Sequence, residues 1–151
     1  MKWNLISTSL SGIKEYHLLK NDRLLLVMKY SQEQQSVRIT LDKEHLIFLL
    51  ENNAGGLIAG ERIHYMNAYG VDLGKFSFNP RNRSGQLQID DRVFQYATIN
   101  DPQPSLLVYK KTKEHPLAVC AWPLASEQPP GPIEYACLVL GVCWSLQGVP
   151  A

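Results

Sequence analysis

The chain contains 151 residues, of which 45% are hydrophobic and 19% are charged, and its formal net charge is +1. A chain of this length can form one domain whose core needs no disulfide or metal ion to hold it together. The composition is that of a globular protein and excludes a disordered or collagen-like chain. The 15 Lys and Arg are offset by 14 Asp and Glu, which argues against nucleic acid as a partner.

The N-terminal stretch MKWNLISTSLSG has an apolar patch that Asn4, Ser7 and Thr8 interrupt. A secretory signal peptide requires a continuous apolar segment, so we expect no signal peptide here. The apolar run from Ala136 to Trp144 is about half as long as a membrane-spanning helix. We therefore predict a cytoplasmic protein without a transmembrane segment.

Apolar and polar residues alternate from the N-terminus to about Leu124. Val37, Ile39 and Leu41, for example, are separated by Arg38 and Thr40. A period of two places successive side chains on opposite faces of a sheet. We predict about eleven short strands: Lys2–Ser7, Ile13–Lys20, Arg23–Tyr30, Val37–Leu41, His45–Leu50, Leu57–Met66, Phe76–Phe78, Leu87–Ile89, Phe94–Thr98, Ser105–Lys110 and Leu117–Trp122.

The joints between these segments are short and rich in Asn, Asp, Gly and Pro, as in 20–23 and 79–85. Such residues accept left-handed or proline-fixed backbone angles. Because joints of hairpin length cannot connect parallel strands, they favour an antiparallel meander. One segment has two interpretations: 42–53 is predicted as a strand, but Asp42 and the glycines after it also suit a capped helix.

The last part of the chain changes character after the proline-rich break at 125–132. Pro132 suits the first turn of a helix, Glu134 lies near the positive end of the helix dipole, and Gly148 and Pro150 suit a stop. The segment predicts a helix over 133–147. It is apolar on every side, so that it must be covered on every side.

A sheet of eleven or twelve strands tends to close, which removes its edges, and a barrel of that size has room for a helix inside. We therefore predict a single mainly β domain over 1–151: a closed antiparallel barrel of about 12 strands (about 2–124) that encloses the C-terminal hydrophobic helix. The alternatives for the tail are a further core strand or hairpin, or an exposed amphipathic anchor. The missing polar face argues against the anchor.

This order of short strands, a proline break and the segment PIEYACLVLGVCW at 132–144 resembles the tubby C-terminal-like superfamily, which includes the LURP-one-related proteins and the phospholipid scramblases. The resemblance is architectural and covers the whole chain. It implies a twelve-stranded barrel threaded by a C-terminal hydrophobic helix. It also suggests lipid binding, which tubby performs through basic residues on the barrel wall, but no residue of this chain aligns with that set.

The sequence contains no pattern typical of a catalytic or metal site. The four histidines lack HxxH, HExxH or HxH spacing, no GxSxG elbow occurs, and the glycines in GGLIAG are not followed by the Lys-Ser or Lys-Thr of a phosphate loop. Asp90 and Asp91 lie where a hairpin turn needs such residues. The three cysteines have no CxxC spacing, so we predict buried, reduced thiols. We predict no catalytic residue, no metal and no cofactor.

Two basic clusters suggest where a partner binds. Lys110, Lys111 and Lys113 lie in the last hairpin, and Arg81 and Arg83 lie in another. In an up-and-down meander these two hairpins are at opposite rims. Basic residues near an anionic membrane contribute about 1 kcal/mol each, although solvated turns would look the same.

Two hypotheses about function follow. The first is a non-enzymatic binding or scaffold barrel whose rim loops contact anionic lipid headgroups or a protein partner. The second is a barrel that binds a small apolar ligand, or an enzyme, with a site at the barrel mouth. For this second hypothesis the polar tips would come from His64, Tyr65, Tyr69 and Tyr96.

Overall fold

The computed structural model describes residues 1–52, 61–79, 84–89, 92–99, 105–110, 115–121 and 132–147. In this part of the chain, eleven strands form one closed barrel, in which each strand pairs with its neighbours in sequence. The strands are β1 (Lys2–Thr8), β2 (Ile13–Lys20), β3 (Arg23–Ser31), β4 (Ser36–Leu41), β5 (Glu44–Asn52), β6 (Glu61–Met66), β7 (Asp72–Asn79), β8 (Ser84–Ile89), β9 (Arg92–Ile99), β10 (Ser105–Tyr109) and β11 (Ala118–Ala121). The predicted barrel is confirmed.

The barrel closes between its first and last strands, and this contact is parallel. Lys2 of β1 pairs with Ala121 of β11, and the Ala121 amide donates a hydrogen bond to the Met1 carbonyl at 3.1 Å. Every other pair in the barrel is antiparallel. An up-and-down meander with an odd number of strands must close in parallel, because its first and last strands run the same way. The sequence predicted about eleven short strands and a barrel of about 12, and the described residues form eleven.

Within the two-way segment 42–53, Glu44–Asn52 is a strand and not a helix, and residue 53 lies outside the described residues. Asp42 has φ of 52°, a left-handed angle that Asp tolerates in a tight turn. A two-residue hairpin therefore joins β4 to β5, and Leu41 pairs with Glu44. Asn21 and Asp22 are also left-handed, with φ of 52° and 63°, as a two-residue hairpin that follows the strand twist requires.

The helix α1 (Pro132–Gln147) lies inside the barrel. Its side chains from Ala136 to Leu140 are completely buried, and so are Val142 and Cys143. The strands contribute the inward side chains of their alternating pattern to the same core, among them Trp3, Leu18, Met28, Phe76 and Leu106. The predicted enclosure of the hydrophobic helix is confirmed.

Two glycines allow close packing at this core. A Cβ on Gly141 of α1 would lie 3.0 Å from Cη2 of Trp3, so the missing side chain lets the indole ring rest on the helix. A Cβ on Gly74 of β7 would clash with the Gln88 carbonyl oxygen and with the Tyr65 hydroxyl. The Tyr65 hydroxyl occupies this space and donates to that same carbonyl at 3.0 Å.

The turns between the strands form two rims. One rim carries turns 21–22, 42–43 and 67–71 and the start of the β10–β11 connection at Lys110, and we call it the Lys110 rim. The opposite rim carries turns 9–12 and 32–35, and the first turn of α1 lies beside it at Glu134; we call it the Glu134 rim.

We predict that Leu140→Asp abolishes stable folding. Leu140 is completely buried, and a carboxylate there would have no partner or water, a loss that exceeds about 4 kcal/mol. Thermal unfolding followed by circular dichroism measures the effect. Leu49→Asp is the matched control, because Leu49 of β5 is 36% exposed on the outer wall; its loss should stay below about 1 kcal/mol. A Leu140→Asp protein as stable as the wild type would contradict the position of α1.

Candidate functional site

The structure places one member of the predicted lysine cluster. Lys110 follows β10 directly and is exposed at its rim. Lys111, Lys113, Arg81 and Arg83 lie outside the described residues. The rim position of Lys110 agrees with the meander, and the role of the cluster in binding stays a prediction.

Other basic side chains lie at the strand ends of the same rim. Among the described residues, six exposed bases accompany four exposed acids there. The carboxylate of one of these acids, Asp72, lies 3.1 Å from Nδ1 of His64. The Lys110 rim therefore has a modest positive excess in the part of the chain that the structure describes. The bases are Lys2, Lys20, Arg23, Lys43, Arg92 and Lys110, and the acids are Asp22, Asp42, Glu44 and Asp72.

Exposed apolar side chains stand between these charges. Tyr69 is 92% exposed at the tip of turn 67–71, and Val71 beside it is 54% exposed. The Asn67 side chain accepts hydrogen bonds from the backbone amides of Tyr69 and Val71, at 2.9 and 3.0 Å. This asparagine fixes the turn so that Tyr69 projects away from the barrel. Leu24 and Leu117, at 53% and 46% exposure, extend the apolar surface along the rim.

The four residues of the barrel-mouth hypothesis lie in different environments. Tyr65 and Tyr96 face the interior and are buried, and the Tyr65 hydroxyl is bonded to the Gln88 carbonyl. His64 faces outward, where Asp72 is its partner. Tyr69 is at the tip of an exposed turn. The side chains of His64, Tyr69 and the two buried tyrosines thus do not face one common space.

A buried polar cluster at the Glu134 rim was not predicted. Lys14 Nζ donates to both carboxylate oxygens of Glu134, at 3.0 and 3.2 Å, and the Tyr16 hydroxyl donates to the same carboxylate. The Glu134 side chain is 8% exposed and that of Lys14 is 27% exposed. The sequence carries one signal for this cluster. Lys14, Tyr16 and Leu18 alternate along β2, so the alternation places Lys14 on the same inward face as the two buried residues.

Burial controls the titration of the groups around this cluster. Burial, and then the hydrogen bond to Glu134, raise the pKa of Tyr16 well above its usual value. The pKa values of Tyr30 and Tyr96 are also raised, in both cases first by burial and then by the neighbouring Cys137. The Tyr96 hydroxyl is fully buried without a hydrogen-bond partner among the described residues. Tyrosines in such surroundings stay protonated and are poor bases.

The cysteines are likewise unsuited to nucleophilic chemistry. Burial raises the pKa of Cys120 to about 12, and it raises the pKa values of Cys137 and Cys143 as well. All three thiols are free and buried, whereas a reactive cysteine needs a lowered pKa and access to solvent. Within the described ranges, no three His, Cys, Asp or Glu side chains are grouped so that they could hold a metal ion.

Comparison with known proteins gives no relative. No protein-family model matches the chain, no curated protein matches its sequence, and no solved structure matches it. The class that the structure defines is therefore architectural: a closed antiparallel barrel filled by its own C-terminal helix. Among the described helical residues, none form a helix long and apolar enough to cross a membrane.

We predict that Glu134→Gln destabilises the fold by about 1–3 kcal/mol, because a part-buried ammonium loses its charged partner. Lys14→Met should cost a similar amount, since the carboxylate is then buried with Tyr16 alone. The double variant should cost less than the sum of the two. A double-mutant cycle by urea unfolding measures the coupling, and additive effects would contradict a direct Lys14–Glu134 interaction.

We predict that stability falls as the pH rises above about 9. The folded state holds Cys120 protonated up to a pKa of about 12, whereas its unfolded thiol ionises near the ordinary value of 9.0. As the pH rises, the thiols of the unfolded chain therefore release their protons first. Each buried thiol of this kind lowers the free energy of unfolding by about 1 kcal/mol between pH 9 and 10. Urea unfolding at pH 8, 9 and 10 under reducing conditions measures this decline.

Cys137→Ala is the matched variant for this prediction. It removes one of the buried thiols with a raised pKa, so the decline between pH 9 and 10 should be smaller by about 1 kcal/mol. A wild-type stability that stays constant up to pH 10 would contradict the burial of these groups.

Proposed function

We propose that this chain is a non-enzymatic binding barrel that docks on an anionic lipid surface through its Lys110 rim. The observation that carries the proposal is the position of α1. Its residues from Ala136 to Leu140 are completely buried inside the barrel, so the space in which a barrel usually holds a ligand is occupied by the chain itself. A partner is then engaged from the outside.

The Lys110 rim has the composition that a membrane interface favours. Proteins that rest on an anionic leaflet combine basic side chains, which meet the headgroups, with apolar or aromatic side chains that enter the boundary region. Lys110, Lys43 and Arg23 provide the first kind, and Tyr69 and Val71 provide the second. The Glu134 rim lacks this combination in the described residues: its exposed Leu10 is flanked by serines.

The architectural likeness supports the same function. A closed barrel of short antiparallel strands around a C-terminal hydrophobic helix is the plan of the tubby C-terminal-like superfamily, and we propose that the chain is a member of that superfamily. Lipid binding and a cytoplasmic location are part of this proposal. The predicted site is the rim, with Lys110, Lys111 and Lys113, and not the wall residues used by tubby.

The hypothesis of an apolar ligand or an enzyme at the barrel mouth stays a prediction. It would need His64, Tyr65, Tyr69 and Tyr96 to act together, and these residues lie in separate environments, as described above. A protein partner at the rim is the other form of the binding hypothesis. It predicts no dependence of binding on anionic lipid.

We predict that the protein co-sediments with phosphatidylcholine vesicles that contain phosphatidylserine and not with vesicles of phosphatidylcholine alone. Replacing Lys110, Lys111 and Lys113 together by Ala should weaken binding about 100-fold, because each basic residue near the surface contributes about 1 kcal/mol. Tyr69→Ser should also weaken binding, by removing apolar contact area. Binding should fall as salt is raised.

The control for charge is the triple variant Lys29→Ala, Arg38→Ala and Lys75→Ala, which removes the same number of positive charges from the outer wall. The control for Tyr69 is Leu10→Ser at the opposite rim. Both controls should bind like the wild type. If the variant without Lys110, Lys111 and Lys113 bound vesicles as well as the wild type, the lipid function would be excluded. If the variant without Lys29, Arg38 and Lys75 lost as much binding, net charge and not the Lys110 rim would determine binding.

A further inference from the structure

One part of the outer wall carries no charged side chain among the residues that the structure describes. On β8 to β11 the inward residues, such as Leu87, Tyr96 and Val108, are buried, so the residues between them face outward. Every described outward residue on these four strands is neutral. They are Ser84, Gln86 and Gln88 on β8, Val93, Gln95, Ala97 and Ile99 on β9, Ser105, Leu107 and Tyr109 on β10, and Val119 and Ala121 on β11. We call this set the neutral face.

The rest of the described wall is different. On β2, β3 and β4, Glu15 lies opposite Lys29, and Lys29 lies opposite Arg38. Nζ of Lys29 is 3.8 Å from the Glu15 carboxylate. Charged side chains keep that part of the barrel hydrated and disfavour association. The outward charged residues of the described wall thus lie on strands other than β8 to β11.

The neutral face is apolar at its centre. Ala97, Leu107 and Val119 lie side by side on three adjacent strands, because Leu107 pairs with both of the others. Val119 is 48% exposed and Ile99 is 41% exposed. Gln86 and Gln95 lie opposite each other next to this row. Depletion of charge around an apolar and aromatic centre is the composition that distinguishes the buried core of a protein interface from ordinary surface.

We propose that the neutral face binds a second copy of this chain and forms a weak symmetric dimer. The charge pattern favours a copy over a foreign partner. In a twofold interface the same patch meets itself. A patch with charge of one sign would then repel its own copy. The neutral face has no charge that would repel a copy, and it has none that would attract an oppositely charged partner. The amides of Gln86 and Gln95 carry both donors and acceptors, so they too can pair with the same groups in the copy.

The size of the neutral face determines how strong the dimer is. Four strands about 4.8 Å apart, each with roughly five residues at about 3.3 Å, cover on the order of 350 Å² of projected wall. Stable interfaces bury about 800 Å² on each partner. The neutral face is below that size, so we expect a weak, transient dimer that forms only at high protein concentration.

Sedimentation velocity of the whole chain over about 5 to 500 µM tests this inference. The wild type should change from the 17.1 kDa monomer toward twice that mass. Val119→Lys should weaken the association at least tenfold, because two like charges then enter an uncharged interface. Gln95→Glu should weaken the association in the same way. Because the Gln95 side chain is already polar and faces outward, this variant should fold, and a loss of association then reports on the interface.

Ile47→Glu is the matched control, because Ile47 of β5 is 42% exposed on the charged part of the wall. It should associate like the wild type. A wild-type chain that stays monomeric over the whole range would overturn the inference. A dimer that Ile47→Glu disrupts, and that Val119→Lys and Gln95→Glu leave intact, would also overturn it, since the interface would then lie elsewhere.

Discussion

The hydrophobic helix α1 must be kept from water on all sides, and most features of the fold follow from this constraint. A helix with one apolar stripe can rest on the face of an open sheet, but the residues from Ala136 to Leu140 point in every direction around the axis and all are completely buried. Only a closed wall provides contacts all round. Eleven short strands provide that wall. The parallel contact between β1 and β11 closes it into a ring.

One charged group disturbs this apolar interior, and it defines how the helix sits. Glu134 is buried in the first turn of α1, where a carboxylate is favoured by the helix dipole but needs a partner. Lys14 and Tyr16 of β2 supply the partners. Sliding the helix by one turn or reversing its direction would leave the carboxylate and the ammonium without each other. The pair therefore selects one register of a helix that hydrophobic packing alone would hold less specifically.

Local patterns predicted the strands, the helix and its enclosure, because alternation and all-round hydrophobicity report burial directly. They did not decide between strand and helix at 42–53, where Asp42 suits a helix cap as well as the left-handed turn that the chain forms. The alternation places Lys14 on the inward face of β2, but it does not pair Lys14 with Glu134, which is 120 residues away in sequence. The alternation also predicted about eleven strands, which the described residues form, but it could not show which strands pair to close the barrel, because the closing contact joins the two ends of the sheet.

An interior filled by the chain leaves binding to the outer surfaces, and these surfaces differ. The wall of β2 to β4 is charged and hydrated, β8 to β11 form the neutral face, and the Lys110 rim combines bases with Tyr69 and Val71. The neutral face and the rim do not compete, because one lies along the strands and the other lies at their ends. In a dimer whose twofold axis runs along the barrels, both Lys110 rims would face the same side, and the second rim would bind a membrane at the high effective concentration set by the first. Two rims facing the same side would then add their modest charges in the proposed contact with an anionic surface.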